Sequence, residues 1–516
     1  MLVGLLLALL VSLPAAYGFA LSTPEMQYGG FVIGVEDGNS YLAKMMQGRE
    51  GHWLYTLAYT PEPHSPGPFF GHYLLLGQLA GLLNLSLPLA INLSRLFTIP
   101  FGLVSFYAFA AMFLPDTGLR QLATALFAFS AGLGWLWLLL GLPTELGKMP
   151  VDIWVPDASF FLSAFTFAHL PLSIGLMLWV VIGLVLFVER GGWRWWLLAA
   201  GCGLLVSVIH PYKLVVVGAI LLPWLLWQSY RRQLPLWRSL WRLALVMLPA
   251  TPYLLWVLWV FETNFAFAAW REQSLTWSPP PQFYLLGFGL LLPLAGLGAW
   301  QANRLQAQRV DLLRIWLVLG PLLAYVPIPL QRRFLDGYQA VLAVLAALGL
   351  AWLLARWPSP RLRFATGAGL LLVLSLTNLL LWSGALLTVG GRQAPLFHPG
   401  SQQAAFAWLA DNAAGELVFT SHATGNVLPG YAPLRVFVGH GPETVRSADK
   451  SALVSQFFDA ATPDSWRQAL LRQYGIGYLY YGPNERILGG FSPTDVSYLQ
   501  LVYDSGPVKI YRVVGN

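Results

Sequence analysis

The chain has 516 residues, a formal net charge of +7 and a mean hydropathy of +0.60; 57% of its residues are hydrophobic and 10% are charged. This composition excludes an ordinary soluble protein and predicts a polytopic α-helical membrane protein. The net positive charge does not indicate nucleic-acid binding, because the basic residues lie mostly in short loops between apolar stretches and orient the chain there. The one cysteine, Cys202, lies in an apolar run and has no partner for a disulfide within the chain.

A bilayer-spanning helix needs roughly 20 apolar residues, and about a dozen stretches meet this requirement. They begin near Leu2, Phe69, Leu93, Leu119, Ser159, Trp195, Tyr212, Leu243, Phe283, Leu313, Tyr338 and Leu370. The first stretch lacks a basic n-region and is long enough to span, so we interpret it as a retained helix rather than a cleaved signal peptide. We therefore expect about 11 to 13 transmembrane helices.

The polar segment 22–68, between the first two apolar stretches, contains an acidic pair, Glu36 and Asp37. A carboxylate pair at a membrane surface can act as a general base, alone or assisted by a metal ion. The simpler alternative is two solvated acids in a polar loop. The loop keeps several aromatic residues, which favours a folded segment that packs against the membrane: Tyr41, Trp53, Tyr55 and Tyr59.

Glu62 and His64 form a second cluster in the same loop, within the sequence TPEPHSPGP. A Glu and a His two residues apart, near another acidic pair, could complete a divalent-metal site. The alternative is a turn made rigid by proline, in which both side chains are exposed.

Basic residues recur in the loops of the second half of the apolar region: Arg190 and Arg194; Arg231, Arg232, Arg238 and Arg242; Arg304, Arg309 and Arg314; Arg356, Arg361 and Arg363. The positive-inside rule places these loops in the cytoplasm, so the intervening connections 210–213, 262–281 and 331–338 face outward, together with the tail. An inside-to-outside first helix puts the acidic loop outside as well, but about eleven further spans would then put the tail inside. One segment must therefore be re-entrant, split or misassigned, and 119–159 and Ser159–Glu189 are the candidates.

Arg332 and Arg333 lie in the outward-facing sequence QRRFLDGY, where arginine is unexpected. Guanidinium groups bind phosphate in a bidentate geometry, so the pair could hold a lipid phosphate or pyrophosphate. The alternative is a pair at the membrane interface, with Asp336 as an ion-pair partner. His210 and Lys213, in the hairpin IHPYK, provide a second cationic point on the same side.

His169, in FAHLPLS, is an ionisable residue within an apolar stretch, which indicates either a functional site or a helix-kinking His-x-Pro element. The sequence contains no GxxxxGK[ST] motif, no GxGxxG after a strand and no CxxC metal pattern. A nucleotide sugar or ATP used on the cytoplasmic side is therefore disfavoured.

The tail, residues 391–516, has the polar composition of a soluble domain. AAFAWLADNA has helical periodicity, whereas five segments predict strands: ELVFTS, LRVFVGH, GYLYYG, LQLVYD and VKIYRVV. We expect a transmembrane domain over 1–390, including the outer loop 22–68, and a small extracytoplasmic α/β domain over 391–516.

These features together resemble the GT-C superfamily of integral-membrane glycosyltransferases, which includes mannosyl-, arabinosyl- and oligosaccharyltransferases. The matching elements are the first helix, a long outer loop that opens with Glu36–Asp37, and the proline-containing entry HSPGPFF into the next helix. The multi-span body and the soluble outer domain complete the resemblance. It covers the whole chain in architecture, and the acidic loop is the motif that carries it.

The resemblance implies a polyprenyl-phosphate-linked sugar as the donor and an acidic residue of the first outer loop as the catalytic base. By position this base is Asp37, with Glu36 as the second acid. Some members bind a divalent metal ion at this loop and others do not, so the cofactor stays open. The remainder of the loop, GNSYLAKMMQGREGHW, differs from the best-studied branches, which also leaves the acceptor open among a glycan, a lipid and a protein.

We accordingly expect a glycosyltransferase of the bacterial-type plasma membrane, acting on the cell envelope. The donor phosphate would be held by Arg332, Arg333, Lys213 and Lys44, while Asp37 takes the proton of the attacking hydroxyl. A single displacement of this kind inverts the anomeric carbon. The competing interpretations are a transporter or flippase of a lipid-linked glycan, and a non-catalytic membrane scaffold whose outer domain is a sensor. Polar residues concentrated at the outer rim, with no internal repeat, favour the transferase.

Overall fold

The computed structural model describes residues 2–231, 233–302, 307–494 and 496–514, so Arg232 and Arg304 of the predicted basic loops lie outside it. Contacts divide the chain into two compact units. Unit 1 comprises Met1–Pro14, Leu93–Leu254 and Thr276–Leu387, and unit 2 comprises Ala15–Asn92, Leu255–Leu275 and Thr388–Asn516. Contacts therefore group the predicted outer loop 22–68 with the tail rather than with the remaining apolar helices.

The helices up to residue 230, labelled in chain order, are α1 Leu2–Ala20, α2 Val35–Arg49, α3 Gly71–Leu82, α4 Leu87–Ala111, α5 Thr117–Phe129, α6 Gly134–Leu139, α7 Val151–Trp154, α8 Phe160–Thr166, α9 His169–Arg190, α10 Trp193–Ile209 and α11 Tyr212–Tyr230. Those from residue 236 to 390 are α12 Leu236–Met247, α13 Thr251–Thr263, α14 Phe265–Gln273, α15 Pro281–Phe288, α16 Leu291–Gln301, α17 Ala307–Leu323, α18 Tyr338–Leu354 and α19 Pro360–Gly390.

The polytopic helical class is confirmed, and the described ranges contain fewer helices of full membrane-spanning length than the predicted 11 to 13. Within the described ranges, 8 helices are long and apolar enough to cross a membrane, or up to 9 if the pair α15–α16, bent by 78°, is one span. The apolar stretch near Phe69 forms the 12-residue helix α3, and the stretch near Trp195 forms the 17-residue helix α10. Apolar composition alone therefore overcounts, because turns and breaks interrupt several of the stretches.

Both segments suspected of a re-entrant or split course are indeed interrupted. In 119–159 the helical structure is divided among α5, α6 and α7, and in 159–189 the short helix α8 ends before α9 begins at His169. The break at Phe167 is extended backbone, with φ −139° and ψ 132°. A continuous apolar run in the sequence thus contains a break between two helices.

Glycines allow close helix packing in unit 1. A methyl group on Gly298 of α16 would meet the carbonyl oxygen of Leu345 on α18, and one on Gly349 of α18 would meet that of Leu294. Small residues at such crossings let two backbones approach closely, as is usual for helices in membranes.

The tail in unit 2 forms the predicted α/β domain. Its elements are β2 Phe397–Pro399, which pairs with β1 Met26–Tyr28, followed by α20 Gly400–Asn412, β3 Leu417–Phe419, α21 His422–Val427, β4 Arg435–Val436, α22 Ser447–Phe458, α23 Asp464–Tyr474, β5 Tyr478–Tyr481, α24 Pro483–Arg486, β6 Leu499–Asp504 and β7 Lys509–Val513. The described part of the tail contains a sheet of order β4-β3-β5-β7-β6, in which β4, β3 and β5 are parallel and β7 is antiparallel to both neighbours.

Each face of this sheet has its own apolar core. Phe406 and Leu409 of α20 pack with Val418 on one face. Phe457 of α22 and Leu471 of α23 pack on the other. The five predicted strands and the helix in AAFAWLADNA are confirmed, whereas α22 and α23 were not predicted.

The segment that carries the acidic pair is a helix rather than an irregular loop. Helix α2 packs against α3, and the approach is close at Gly48 and Gly77. Methyl groups on these two glycines would meet the carbonyl oxygens of Leu74 and Met45, respectively. The predicted outer loop therefore contains a helix that packs closely against α3, and both helices belong to the same unit as the C-terminal sheet.

Candidate functional site

Glu36 and Asp37 lie in the first turn of α2, which starts after Gly34 in the left-handed conformation, with φ 62°. A positive φ favours glycine at this position. The amino end of a helix carries a partial positive charge, which stabilises carboxylates in the first turn. The side chains of Glu36 and Asp37 are 53% and 56% exposed, so both carboxylates are accessible.

The Asp37 carboxylate contacts a histidine of the C-terminal domain. His440 Nε2 lies 3.1 Å from Asp37 Oδ1, and His440 Nδ1 lies 3.4 Å from Glu443 Oε1. The imidazole is only 6% exposed, whereas Asp37 reaches the surface. His440 and Glu443 come from the loop after β4, so two segments distant in sequence build this contact.

Glu443 is the buried centre of the cluster. Its Oε1 lies 2.6 Å from the Lys44 ammonium group, and the Tyr55 hydroxyl donates a hydrogen bond of 2.5 Å to its Oε2. Lys44 also donates to the hydroxyl of Ser40 at 3.0 Å, and its Nζ lies 4.2 Å from the centre of the Phe70 ring. The buried charge is therefore paired and hydrogen-bonded, as burial requires.

The pKa values follow from this arrangement. Burial alone would raise the pKa of the Glu443 carboxyl, but Lys44 and His440 outweigh it and lower that pKa to about 2. Burial alone would lower the pKa of His440, but its contacts with Asp37 and Glu443 outweigh burial and raise it to about 9. Burial raises the pKa of the Tyr55 hydroxyl, and Glu443 raises it further, so Tyr55 is a hydrogen-bond donor rather than an anion.

Glu36 has a separate set of contacts. Its Oε1 lies 3.5 Å from Nε2 of His422 and accepts a hydrogen bond of 3.3 Å from the Gly441 backbone. The amide of Asn426, on α21, donates to the Glu36 carbonyl oxygen at 3.1 Å, and the amide of Asn39 donates to Asn426 at 2.8 Å. Helix α21 therefore packs on the amino-terminal turn of α2 through polar contacts.

Glu62 and His64 are held by protein contacts that do not support the predicted metal site. Glu62 Oε2 lies 2.6 Å from the Lys450 ammonium group and also accepts from the Thr60 hydroxyl. His64 Nε2 accepts from the Leu57 backbone at 2.9 Å, which leaves its Nδ1 to donate to the Glu62 carbonyl at 2.8 Å. Both ring nitrogens are thus engaged, and the pair forms a turn with an internal ion pair.

Within the part of the chain that the structure describes, no three His, Cys, Asp or Glu side chains are grouped in a way that could hold a metal ion. The Nε2 atom of His440 lies 3.1 Å from Asp37, and its Nδ1 lies 3.4 Å from Glu443 without forming a hydrogen bond, so two carboxylates favour a proton on the ring.

Unit 1 brings together the predicted phosphate-binding arginines and several aromatic rings. Arg332 and Arg333 are half-buried in the 3-10 turn Gln331–Leu335. The Arg332 guanidinium lies 4.7 Å from the centre of the Trp154 ring, and that of Arg333 lies 5.9 Å from the ring of Tyr212. Aromatic faces of this kind orient guanidinium planes.

Lys213 pairs with Asp336 rather than presenting its charge to a ligand. Its Nζ lies 2.5 Å from Asp336 Oδ2, and both side chains are fully buried. The same is true of Lys44 with Glu443 in unit 2. Neither ammonium group is exposed to a lipid phosphate, so we do not retain these two lysines as phosphate ligands. Asp336, the suggested partner of the arginines, forms this ion pair with Lys213.

His169 and His210 lie next to each other in unit 1. Their ring centres are 5.0 Å apart in an edge-to-face arrangement, and His210 Nδ1 lies 3.2 Å from the Ser173 hydroxyl. His210 also lies 5.1 Å from the ring of Tyr212. These two predicted residues therefore join the aromatic cluster that contacts Arg333.

The sequence interpretation missed His440, Glu443 and His422. All three follow parallel strands of the tail, with His422 after β3 and the other two after β4. Functional side chains commonly lie beyond the carboxyl ends of parallel strands, so the histidine after LRVFVG was a usable signal.

Comparison with known proteins identifies the fold. No protein-family model matches the chain, and a sequence comparison with characterised proteins gives no match. The solved structures that are similar to the chain include three glycosyltransferases. Arabinofuranosyltransferase AftD from Mycobacteria has TM-score 0.57 at 18% identity, over 99% of this chain and 40% of its own. AglB from Archaeoglobus fulgidus, an oligosaccharyltransferase solved with an inhibitory peptide and a dolichol-phosphate, has TM-score 0.52 at 13% identity, over 91% and 68%. ArnT from Cupriavidus metallidurans, bound to undecaprenyl phosphate, has TM-score 0.51 at 14% identity, over 98% and 97%.

The chain therefore has the fold of the GT-C membrane glycosyltransferases, as its sequence suggested. The similarity extends along nearly all of the chain and nearly all of ArnT, whereas the chain spans 40% of the length of AftD. At these identities the comparison establishes the fold, and the reaction has to be argued from this chain's own residues.

Proposed function

We propose that the protein is a membrane glycosyltransferase that moves a sugar from a polyprenyl-phosphate-linked donor to an acceptor hydroxyl on the extracytoplasmic side. The observation that carries the proposal is Asp37: an accessible carboxylate at a helix amino end, in contact with a buried histidine, in a chain with the GT-C fold. Carboxylates in such surroundings are candidates for general bases.

In the proposed reaction, the acceptor hydroxyl attacks the anomeric carbon of the donor sugar while Asp37 takes its proton. The bond from that carbon to the phosphate oxygen breaks, and its electron pair leaves with the polyprenyl phosphate. A single displacement of this kind inverts the anomeric centre. Glu36 is the second carboxylate of the site and would bind hydroxyl groups of the sugar or the acceptor.

Donor binding is proposed to rest on residues of unit 1. Arg332 and Arg333 supply guanidinium groups that suit a phosphate. An apolar cavity of about 150 Å³ includes Leu335 and Tyr338 in its lining, in the turn and helix that follow the arginines, and Tyr284, Phe288, Pro321 and Tyr325 complete much of its wall. Its apolar lining suits the first isoprene units of a lipid carrier. The bound lipids of ArnT and AglB are an undecaprenyl phosphate and a dolichol-phosphate, which are of the same chemical class.

The acceptor and the sugar are left open by these contacts. The similar structures include an arabinofuranosyltransferase and an oligosaccharyltransferase, so a pentose and a preassembled glycan are both proposed as transferred groups. The integral membrane location is supported by the apolar helices of the described segments. The outward orientation of the site is proposed from the positive-inside rule.

The test is a transfer assay with purified protein in nanodiscs, a panel of labelled polyprenyl-phosphate-linked pentoses, hexoses and oligosaccharides, and glycan, lipid and peptide acceptors. Asp37→Asn should lower transfer at least 100-fold, within the range of general-base losses, while donor binding is unchanged. Asp411→Asn is the matched control, since Asp411 is an exposed residue of α20. Transfer by Asp37→Asn at the wild-type rate would remove Asp37 as the base.

Donor binding has its own test. Replacing Arg332 and Arg333 together with glutamine should weaken binding of undecaprenyl phosphate at least tenfold, whereas the exposed Arg361→Gln should not. Undecaprenyl phosphate binding that is unaffected by the double substitution would refute the phosphate assignment. Binding of undecaprenyl phosphate without transfer of any sugar in the panel would favour the competing interpretation, a transporter or flippase of a lipid-linked glycan.

A further inference from the structure

His440 lies between two carboxylates, which determines its protonation state. A carboxylate accepts hydrogen bonds and has no proton to donate, whereas a neutral imidazole has one N–H. Asp37 lies 3.1 Å from Nε2, and Glu443 lies 3.4 Å from Nδ1. The Nδ1 atom is buried and makes no hydrogen bond, but the Glu443 carboxylate lies close enough to favour a proton on it by charge. Two carboxylates within 3.4 Å of the ring therefore favour the doubly protonated imidazolium.

The charges around the ring support the same state. Asp37 and Lys44 face it from α2, the Tyr59 ring lies 5.6 Å away in the segment that follows, and Glu443 lies on the ring's own loop. Lys44 and a protonated His440 balance the charges of Glu443 and Asp37. A neutral His440 would leave an excess negative charge beside a buried carboxylate, which is unfavourable.

His440 is also fixed in place. The ring is 6% exposed, and Glu443, which contacts it, is itself anchored by Lys44 and by the Tyr55 hydroxyl. Next to the ring, the Gly441 backbone donates to the Glu36 side chain at 3.3 Å. The loop after β4 thus contacts both carboxylates of the acidic pair, one through an imidazole and the other through a backbone N–H.

We propose that His440 is a positioning residue for glycosyl transfer: as an imidazolium braced by Glu443, it orients the Asp37 carboxylate and keeps it ionised to receive the acceptor proton. This inference rests on the proposed role of Asp37. His440 is not the base, because its nitrogens already carry protons. It acts through Asp37, so its loss weakens the reaction without abolishing it.

The first test measures the histidine directly and needs no substrate. Protein in nanodiscs is labelled with 13Cε1-histidine, and its 8 histidines are titrated by NMR, with His440 assigned by the signal missing in His440→Gln. The pKa of His440 should be about 9, and Asp37→Asn should lower it by at least about one unit, because the partner charge is removed. Titration near the ordinary value of about 6.5, or a titration that Asp37→Asn leaves unchanged, would overturn the proposal even if His440→Gln fails to fold.

The second test measures transfer as a function of pH. Wild-type kcat should fall above about pH 9 as His440 loses its proton. His440→Gln should lower kcat about 10- to 100-fold, the loss expected for one hydrogen bond to a charged group, with little change in donor KM and without that alkaline fall. His52→Gln, a substitution of an exposed histidine, should behave as wild type.

The two hypotheses fail in different ways. If Asp37→Asn is inactive while His440→Gln keeps the wild-type kcat and alkaline fall, the positioning role is refuted and the proposed function stands. If Asp37→Asn retains wild-type transfer, the proposed base is refuted, and the positioning role falls with it.

Discussion

The buried pair Lys44–Glu443 provides a quantitative test of how unit 2 is held together. The two charged groups are 2.6 Å apart, and their side chains are 1% and 2% exposed. Lys44→Met keeps most of the side-chain volume but removes the ammonium group, which leaves Glu443 with His440 and the Tyr55 hydroxyl as partners. Removing one partner of a buried ion pair typically costs about 3–5 kcal/mol. We expect the free energy of unfolding to fall by this amount.

An exposed pair of the same type is the control. Lys148 lies 2.7 Å from Glu145, but their side chains are 70% and 66% exposed. Lys148→Met should therefore change the stability by less than about 1 kcal/mol, because water and salt screen such pairs. The two variants remove the same group from ion pairs of 2.6 and 2.7 Å, one buried with further contacts of the ammonium group and the other exposed.

The assay is thermal unfolding in nanodiscs, followed by tryptophan fluorescence. With about 2–4 °C of Tm per kcal/mol for a unit of roughly 200 residues, Lys44→Met should lower the Tm by roughly 6–20 °C. The double variant Lys44→Met with Glu443→Gln should regain part of this loss, because no unpaired charge remains. A Tm for Lys44→Met that matches Lys148→Met would refute the account of Glu443 as a charge that needs compensation.

Three further predictions concern pH, packing and metal. The pKa of His440 in the folded protein is raised to about 9, so the protonated ring stabilises unit 2 by an amount on the order of 3 kcal/mol. This stabilisation is fully present below about pH 6.5 and is lost as the pH rises to about 9. Measurements of Tm against pH should show the loss in the wild type and not in His440→Gln. Gly77→Ala should destabilise the α2–α3 packing by about 1–3 kcal/mol in the same thermal assay, whereas Gly81→Ala, whose added methyl group would have its nearest neighbour atom at 3.4 Å, should not. EDTA should leave the proposed transfer unchanged, because Glu62 is paired with Lys450; a loss of transfer that Mg²⁺ or Mn²⁺ restores would contradict this.

The sequence was a good guide where structure depends on local pattern. Alternating apolar residues predicted β3 to β7. Helix α2 escaped prediction because its core face includes Gly38, Asn39, Ser40 and Lys44, which break the apolar periodicity expected of a packed helix. Those residues are buried because they meet partners from elsewhere in the chain, as when Asn39 donates to Asn426.

Local sequence patterns could not predict which residues contact Asp37 and Lys44. Asp37 and His440 are 403 positions apart, and Lys44 and Glu443 are 399 apart. A lysine in a polar loop predicts an exposed cation, which is why Lys44 was assigned to a phosphate. Its burial follows only from the presence of Glu443, since an unpaired ammonium group would not be buried there.

Several groups of unit 2 contact the acidic pair. The amino end of α2 provides its partial positive charge, the loop after β4 provides an imidazole to Asp37, and the same loop provides a backbone N–H to Glu36. His422, after the neighbouring parallel strand β3, adds a second imidazole 3.5 Å from Glu36. Because Asp37 and Glu36 are both contacted by the loop after β4, we expect substitutions in that loop to alter the reactivity of the two carboxylates, as substitutions in α2 would. The C-terminal domain is then part of the proposed catalytic site rather than an accessory to it.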